Sequence, residues 1–251
     1  MTALQEIVEF CDSYLRIGEI QDHENALNGV QVENSGTVRK IVAAVDVSTR
    51  ALEEAAKCGA NLLIVHHGMF WPGVRPMTKG LRRQLKFAFE NDIAIYSAHL
   101  PLDLHPEVGN NVLVMRALGF ENSEPFFEEK ESLLGRRASV DIALDELVKR
   151  LEKAVAGSVK IIAFGPKTVR HLGVITGAAG SEIESIAGEG IDTFITGEAP
   201  HWAAIAAAEM GLNLLLAGHY ATETFGVKAL AAHIAGEFQL DWQFIDLPTG
   251  L

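Results

Sequence analysis

Apolar runs of four to seven residues, rich in valine, isoleucine and leucine, alternate along this chain with longer stretches whose apolar positions recur at helical spacing. The short runs predict buried strands and the periodic stretches amphipathic helices. The run at 41–47 predicts a strand. Residues 49–58 predict a helix with Leu52, Ala55 and Ala56 on one face and Gly59 as its stop. A second strand, 62–65, runs straight into His66-His67-Gly68, and a helix at 80–91 leads to a strand at 93–98 that ends at His99. A helix at 109–118 closes the first half. The second half opens with a helix at 144–154, a strand at 171–176 and a helix at 182–187. A strand at 193–196 ends at Gly197-Glu198, a helix follows at 200–210, and a strand at 212–217 ends at Gly218-His219. A helix at 223–234 and a strand at 241–245 complete the pattern. At the start, Thr2 and Gln5 match a capping box for a helix reaching Arg16. Alternation of this kind predicts an α/β fold of mainly parallel sheets with flanking helices.

The two halves resemble each other. Ser97-Ala98-His99 matches Ala217-Gly218-His219, 120 positions later, and Asp103 then matches Glu223. Aligning Gly59 with Gly190 sets His66-His67 against Gly197-Glu198. The extra length of the first half falls in 69–80, a loop with Trp, Pro and Gly. We therefore expect two similar α/β lobes related by internal duplication, 1–125 and 126–251, with some elements shared and no inserted third domain. Glu121, Glu124, Glu128, Glu129 and Glu131 mark 121–137 as a solvated linker or edge.

Composition narrows the functional classes. The chain has 251 residues, 48% of them hydrophobic and 22% charged, enough for a sizeable core. No segment is apolar over a bilayer's thickness, and the acidic start lacks the basic and apolar regions of a secretory leader. A cytoplasmic protein without a membrane partner is the expectation. The formal charge of −12 argues against nucleic acid as the main ligand and provides a favourable field for divalent cations. Cys11 and Cys58 are far apart in sequence, so neither a disulfide framework nor a thiolate metal site is expected. P-loop and nucleophile-elbow signatures are absent.

Chemistry concentrates at the carboxyl ends of the predicted strands, where α/β sheets gather their ligands. His66-His67, His99-x-x-x-Asp103, Gly197-Glu198 and His219-x-x-x-Glu223 all lie there. Imidazoles and carboxylates suit a pair of divalent cations, with a carboxylate able to bridge them. His66, His67, Asp103, His219 and Glu223 are the candidate ligands. His99 is a candidate for orienting a carboxylate, with a ligand role as the alternative, and His201, close to Glu198, for lining the pocket. Each residue alone also has a structural reading: Asp103 could cap the next helix and Glu223 could favour a helix dipole. His105, His171 and His233 read as structural or surface residues. Asn28-Gly29-Val30-Gln31 reads as a tight turn into a strand.

Taken in order, Asn28-Gly29-Val30-Gln31, His66-His67-Gly68, His99-Leu100-Pro101-Leu102-Asp103 with Gly109-Asn110-Asn111, Thr196-Gly197-Glu198, and Gly218-His219-Tyr220-Ala221-Thr222-Glu223 resemble the GTP cyclohydrolase 1 type 2 family. Its members are also called NGG-interacting factor three-like proteins. The resemblance implies a duplicated α/β fold, a dinuclear metal centre and a ring-shaped homohexamer. It implies that His66 and His219 hold one cation, His67 and Asp103 the other, and that Glu223 bridges them. Zinc, iron, manganese, nickel and cobalt all fit such a donor set. Two functions follow. One is a metal-dependent hydrolase of a nucleotide or other small molecule, with Glu198 as general base or substrate contact. The alternative is a metal-binding regulatory scaffold that recruits protein partners.

Overall fold

The computed structural model describes residues 1–250. In chain order the first elements are β1 (Thr2–Ala3), α1 (Leu4–Tyr14), β2 (Gly29–Val32), β3 (Thr37–Val38), β4 (Lys40–Asp46), α2 (Thr49–Lys57), β5 (Leu62–His67), α3 (Lys79–Glu90), β6 (Ala94–Ser97), α4 (Leu100–Asp103) and α5 (Asn110–Ala117). There follow β7 (Glu124–Glu129), β8 (Ser132–Ala143), α6 (Leu144–Val155), β9 (Lys160–Ala163), β10 (Thr168–Val174), α7 (Ile183–Gly188), β11 (Thr193–Thr196), α8 (His201–Met210), β12 (Asn213–Leu216), α9 (His219–Phe238) and β13 (Asp241–Phe244). The chain divides into two compact units, one of Met1–Leu102 with Gly226–Leu247, the other built on Asp103–Phe225.

The first unit carries a five-stranded sheet in the order β13-β4-β5-β6-β2. The first four are parallel and β2 is antiparallel to β6. Every residue of β5 is buried, which is why it reads as an unbroken apolar run rather than an alternating one. Helix α2 starts where Ser48 Oγ accepts from Ala51 N at 3.0 Å, and it stops at Cys58 with Gly59 in the left-handed region, φ +74°. Leu52, Ala55, Leu63, Val65, Ile93 and Ile95 form the centre of this unit's core.

The second unit carries a six-stranded sheet in the order β7-β8-β10-β11-β12-β9. Strands β10, β11 and β12 are parallel, and the remaining three pair antiparallel. Consecutive side chains of one strand feed opposite cores, as the twofold strand period requires. Phe194 and Leu214 pack with α7 and α8, while Ile195 and Leu215 pack with α5 and α6.

The topology repeats. Each unit has three parallel strands in sequential order with an antiparallel strand beside the third, β2 next to β6 and β9 next to β12. The α/β class with largely parallel sheets and flanking helices is thus as the sequence predicts. Two local expectations need correction and a third, left open between linker and edge, is narrowed. Thr2 lies in β1, and α1 has Ala3 at its N-cap with no side-chain cap, so the capping box does not form. The acidic stretch 121–137 is an edge rather than a linker: β7 and the start of β8 form a hairpin with Phe126 and Phe127 buried beneath it. Helix α9 begins at His219, four residues before Glu223, so the two lie one turn apart on one helix. Among the described residues no helix is long and apolar enough to cross a membrane.

Candidate metal centre

In the first unit, β5 ends on His66-His67 and β6 leads into His99. All three imidazoles are buried. Their rings converge, with centroids 4.9 Å apart for His66–His67 and His66–His99, and 5.7 Å for His67–His99. One donor nitrogen from each lies within 4.8 Å of the others. Each ring is held at Nδ1 by an oxygen. His66 Nδ1 is 2.9 Å from Ala98 O, His67 Nδ1 2.9 Å from Asp46 Oδ1, and His99 Nδ1 2.8 Å from Asp22 Oδ1. An acceptor at Nδ1 puts the proton there and makes Nε2 the electron-pair donor, the tautomer a metal ligand needs.

Asn28, just before β2, and Gln31 within it frame this cluster. Asn28 Oδ1 accepts from His99 N at 2.7 Å while its amide donates to Asp22 Oδ2 at 2.8 Å. Gln31 Oε1 accepts from Met69 N at 2.7 Å, and its amide lies against Gly68, where a side chain would displace it. Trp71, in the loop found only in the first half, packs on His67 and His99 with centroids 4.6 and 4.4 Å away.

In the second unit, the loops after β10, β11 and β12 stack backbone on backbone. Glu198 N donates to Gly177 O and Gly218 N to Gly197 O. A Cβ on Gly197 would meet Gly177 O and the His219 backbone below 3.0 Å, so only glycine allows this approach. His219 Nδ1 bonds Glu198 Oε1 at 3.0 Å, and His219 Nε2 lies 3.1 Å from Glu223 Oε2. Burial opposes charge on His219, but the hydrogen bonds and attraction of Glu223 and then Glu198 outweigh it, raising its pKa to about 9. Positive charge between Nε2 and the buried Glu223 carboxylate is therefore favoured, and a divalent cation meets the same demand as a proton. Thr222 Oγ1 accepts from Gly177 N at 3.1 Å, and Gly177, φ +71°, lies against Glu223 Oε1.

Asp103 is buried at the end of α4, where Asn110 Nδ2 donates to its Oδ1 at 2.7 Å. It does not cap α5, whose N-cap is Gly109. Asn111 joins three elements: its amide donates to Leu134 O and its Oδ1 accepts from Thr176 N. Of the sequence candidates, His66, His67 and His99 thus cluster in the first unit, and Glu198, His219 and Glu223 in the second. His201 is exposed at the first residue of α8. Asp22, Asp46, Asn110 and Trp71 were not among the sequence candidates. Asp46 closes a predicted strand and was open to the same strand-end argument as the histidines. Asp22 lies in an irregular stretch with no signal.

Each unit's cluster has donors that suit a divalent cation: imidazoles with fixed tautomers in the first, and a buried carboxylate charge-matched to an imidazole in the second. The family described as Duf34/NIF3 (NGG1p interacting factor 3) matches residues 2–249. A protein named GTP cyclohydrolase 1 type 2 homolog from Deinococcus radiodurans is 38% identical, with 98% of this chain and 94% of that protein covered. One of the same name from Escherichia coli is also 38% identical, with 97% and 98% covered. Among solved structures, TTHA1606 from Thermus thermophilus superposes with TM-score 0.92 at 37% identity, covering 100% of both chains. Reduced HcgD from Methanocaldococcus jannaschii gives TM-score 0.86 at 27% identity, covering 98% of both.

Proposed function

The chain belongs to the Duf34/NIF3 family, and from that premise we propose that it is a metal-dependent hydrolase acting on a nucleotide or other small molecule. The observation that carries the metal reading is the anchoring of His66, His67 and His99 at Nδ1 by oxygen acceptors. The proposed centre is dinuclear. His66 and His219 would hold one cation, His67 and Asp103 the other, with Glu223 common to both. Bound divalent cations supply Lewis acidity and lower the pKa of water.

The chain's own groups do the rest. Asp46 and the Ala98 carbonyl aim the two β5 imidazoles. Asn110 holds one carboxylate oxygen of Asp103. Glu198 keeps one oxygen on His219 and has a side chain 44% exposed, so it can meet solvent and a substrate proton as well as orient its neighbour. We assign it the general-base role. The relatives' name makes GTP the first compound to test, for hydrolytic opening of its guanine ring with loss of formate.

The test pairs elemental analysis with turnover. Glu223→Gln should lower metal content at both positions, and His67→Ala mainly at one. At saturating metal, Glu198→Gln should keep its metal and lose about 10²–10⁴-fold in rate, the usual contribution of an acid–base group. Retention of two cations by both ligand variants would refute the assignment. No turnover of a nucleotide panel by the metal-loaded protein would favour a regulatory scaffold instead.

A further inference from the structure

The geometry points to a role for His99 beyond orienting a carboxylate. We propose that His66, His67 and His99 form a trihistidine site that takes one first-row divalent cation on the first unit's residues alone, before the dinuclear set is complete. This rests on the metal-binding reading above and adds a ligand and a loading order to it: the first cation shares His66 and His67, which take separate cations only once Asp103, His219 and Glu223 join.

Three observations carry it. One ring nitrogen from each of the three histidines already lies within 4.8 Å of the others, and all three side chains are buried. A tetrahedral shell with bonds of about 2.0–2.1 Å holds its donors roughly 3.3 Å apart, so a bound cation would draw the three nitrogens closer. Each ring has its own oxygen acceptor at Nδ1, and Ala98, Asp46 and Asp22 all belong to the same unit as the rings they hold. The anchoring of His99 is as elaborate as that of the other two. Asp22 accepts from His99 Nδ1, from Asn28 Nδ2 and from Leu100 N, and Asn28 in turn accepts from His99 N. A histidine meant only to bond a carboxylate needs one partner. Here its ring orientation and its backbone are both clamped.

Three neutral imidazoles with further positions left to water or substrate are a recurrent set for catalytic zinc. Such a site binds zinc, cobalt or nickel before any carboxylate from the second unit takes part. Trp71, packed on His67 and His99, lies where an open-shell cation would quench its fluorescence.

The experiment uses the full-length chain carrying both His219→Ala and Glu223→Gln, stripped with a chelator and titrated with cobalt(II). We expect one equivalent to bind, with visible d–d absorption and loss of Trp71 emission, the last absent in Trp71→Phe. Adding His99→Ala to that background should abolish the stoichiometric binding. Asp22→Asn should weaken it by about 10–100-fold, the usual cost of losing a partner that orients a ligand. If the His99 variant fails to fold, imidazole nitrogen NMR on the parent double variant decides: zinc should shift Nε2 of three rings, and a shift of only two overturns the proposal. A double variant that binds no cobalt while wild type binds two equivalents also overturns it, and leaves the dinuclear reading standing. Wild type that binds none removes both.

Discussion

Three oxygens aim the imidazoles of the first unit, and one of them, on Asp22, carries a pH signature. Its side chain is only 6% exposed and receives four donors, from His23 N, Asn28 Nδ2, His99 Nδ1 and Leu100 N. Burial pushes its pKa up, but the His99 hydrogen bond and charge, then Asn28 and His23, push it down further, so the carboxyl sits below its ordinary value. A depressed folded pKa contributes stability that is fully present above the unfolded value and is lost as pH falls through the folded one. Asp22→Asn should therefore cost metal-free protein about 1.5–3 kcal/mol at neutral pH, the range for hydrogen bonds to a charged group. The gap between wild type and variant should close as the medium is acidified below the carboxylate range. Urea unfolding at pH 7 and in that acid range measures both. A gap that is the same at both would show that Asp22 acts by packing, without its charge.

At the scale of elements, the second unit's cluster of Glu198, His219 and Glu223 depends on where three loops and one helix start. Gly177 follows β10 at φ +71° and lies against the Glu223 carboxylate, while Gly190 has φ +81° and open space around it. Alanine at either position incurs the left-handed backbone penalty, about 1 kcal/mol. For a chain of this length that is about 2–4 °C in apparent Tm. Only Gly177→Ala also pushes on Glu223, so it should lose metal content while Gly190→Ala keeps it. Equal metal content in the two variants would separate Gly177 from the site. The elements themselves were largely legible in sequence, because fully buried parallel strands leave apolar runs and the helices between them leave a 3.6-residue period. The β7–β8 hairpin was not. Its two-residue turn is Lys130-Glu131, at φ 51° and 62°, without the Gly or Asn that usually marks such a turn. Five glutamates around two buried phenylalanines then looked like solvated chain. The start of α9 was also hidden. Gly218 and His219 read as a strand end, while Thr222 Oγ1, bonded back to Gly218 O and His219 O, continues the helix that places His219 one turn from Glu223.

At the scale of the whole molecule, the duplication was readable because two His-x-x-x-acid segments follow equivalent strands, and the repeated strand order bears the same relation. Periodicity has no bearing on how copies of the chain associate. The resemblance implies a homohexamer, and the second unit offers a surface suited to burial between copies. Strand β9 is an edge of its sheet, and Ile161 on it, Phe164 just after it, and Trp202 and Ile205 on α8 are large apolar side chains left exposed. Edge strands flanked by exposed apolar groups are unusual on a monomer's free surface, since they invite pairing. Light scattering on the purified chain should accordingly give a homo-oligomer, six copies by expectation. Placing charge on that surface, with Trp202→Glu and Ile205→Lys together, should lower the mass toward a smaller species without loss of the far-ultraviolet helix signal. A monomeric wild type at working concentration would remove the ring. An unchanged oligomer in the charged double variant would move the contact to another face of the chain.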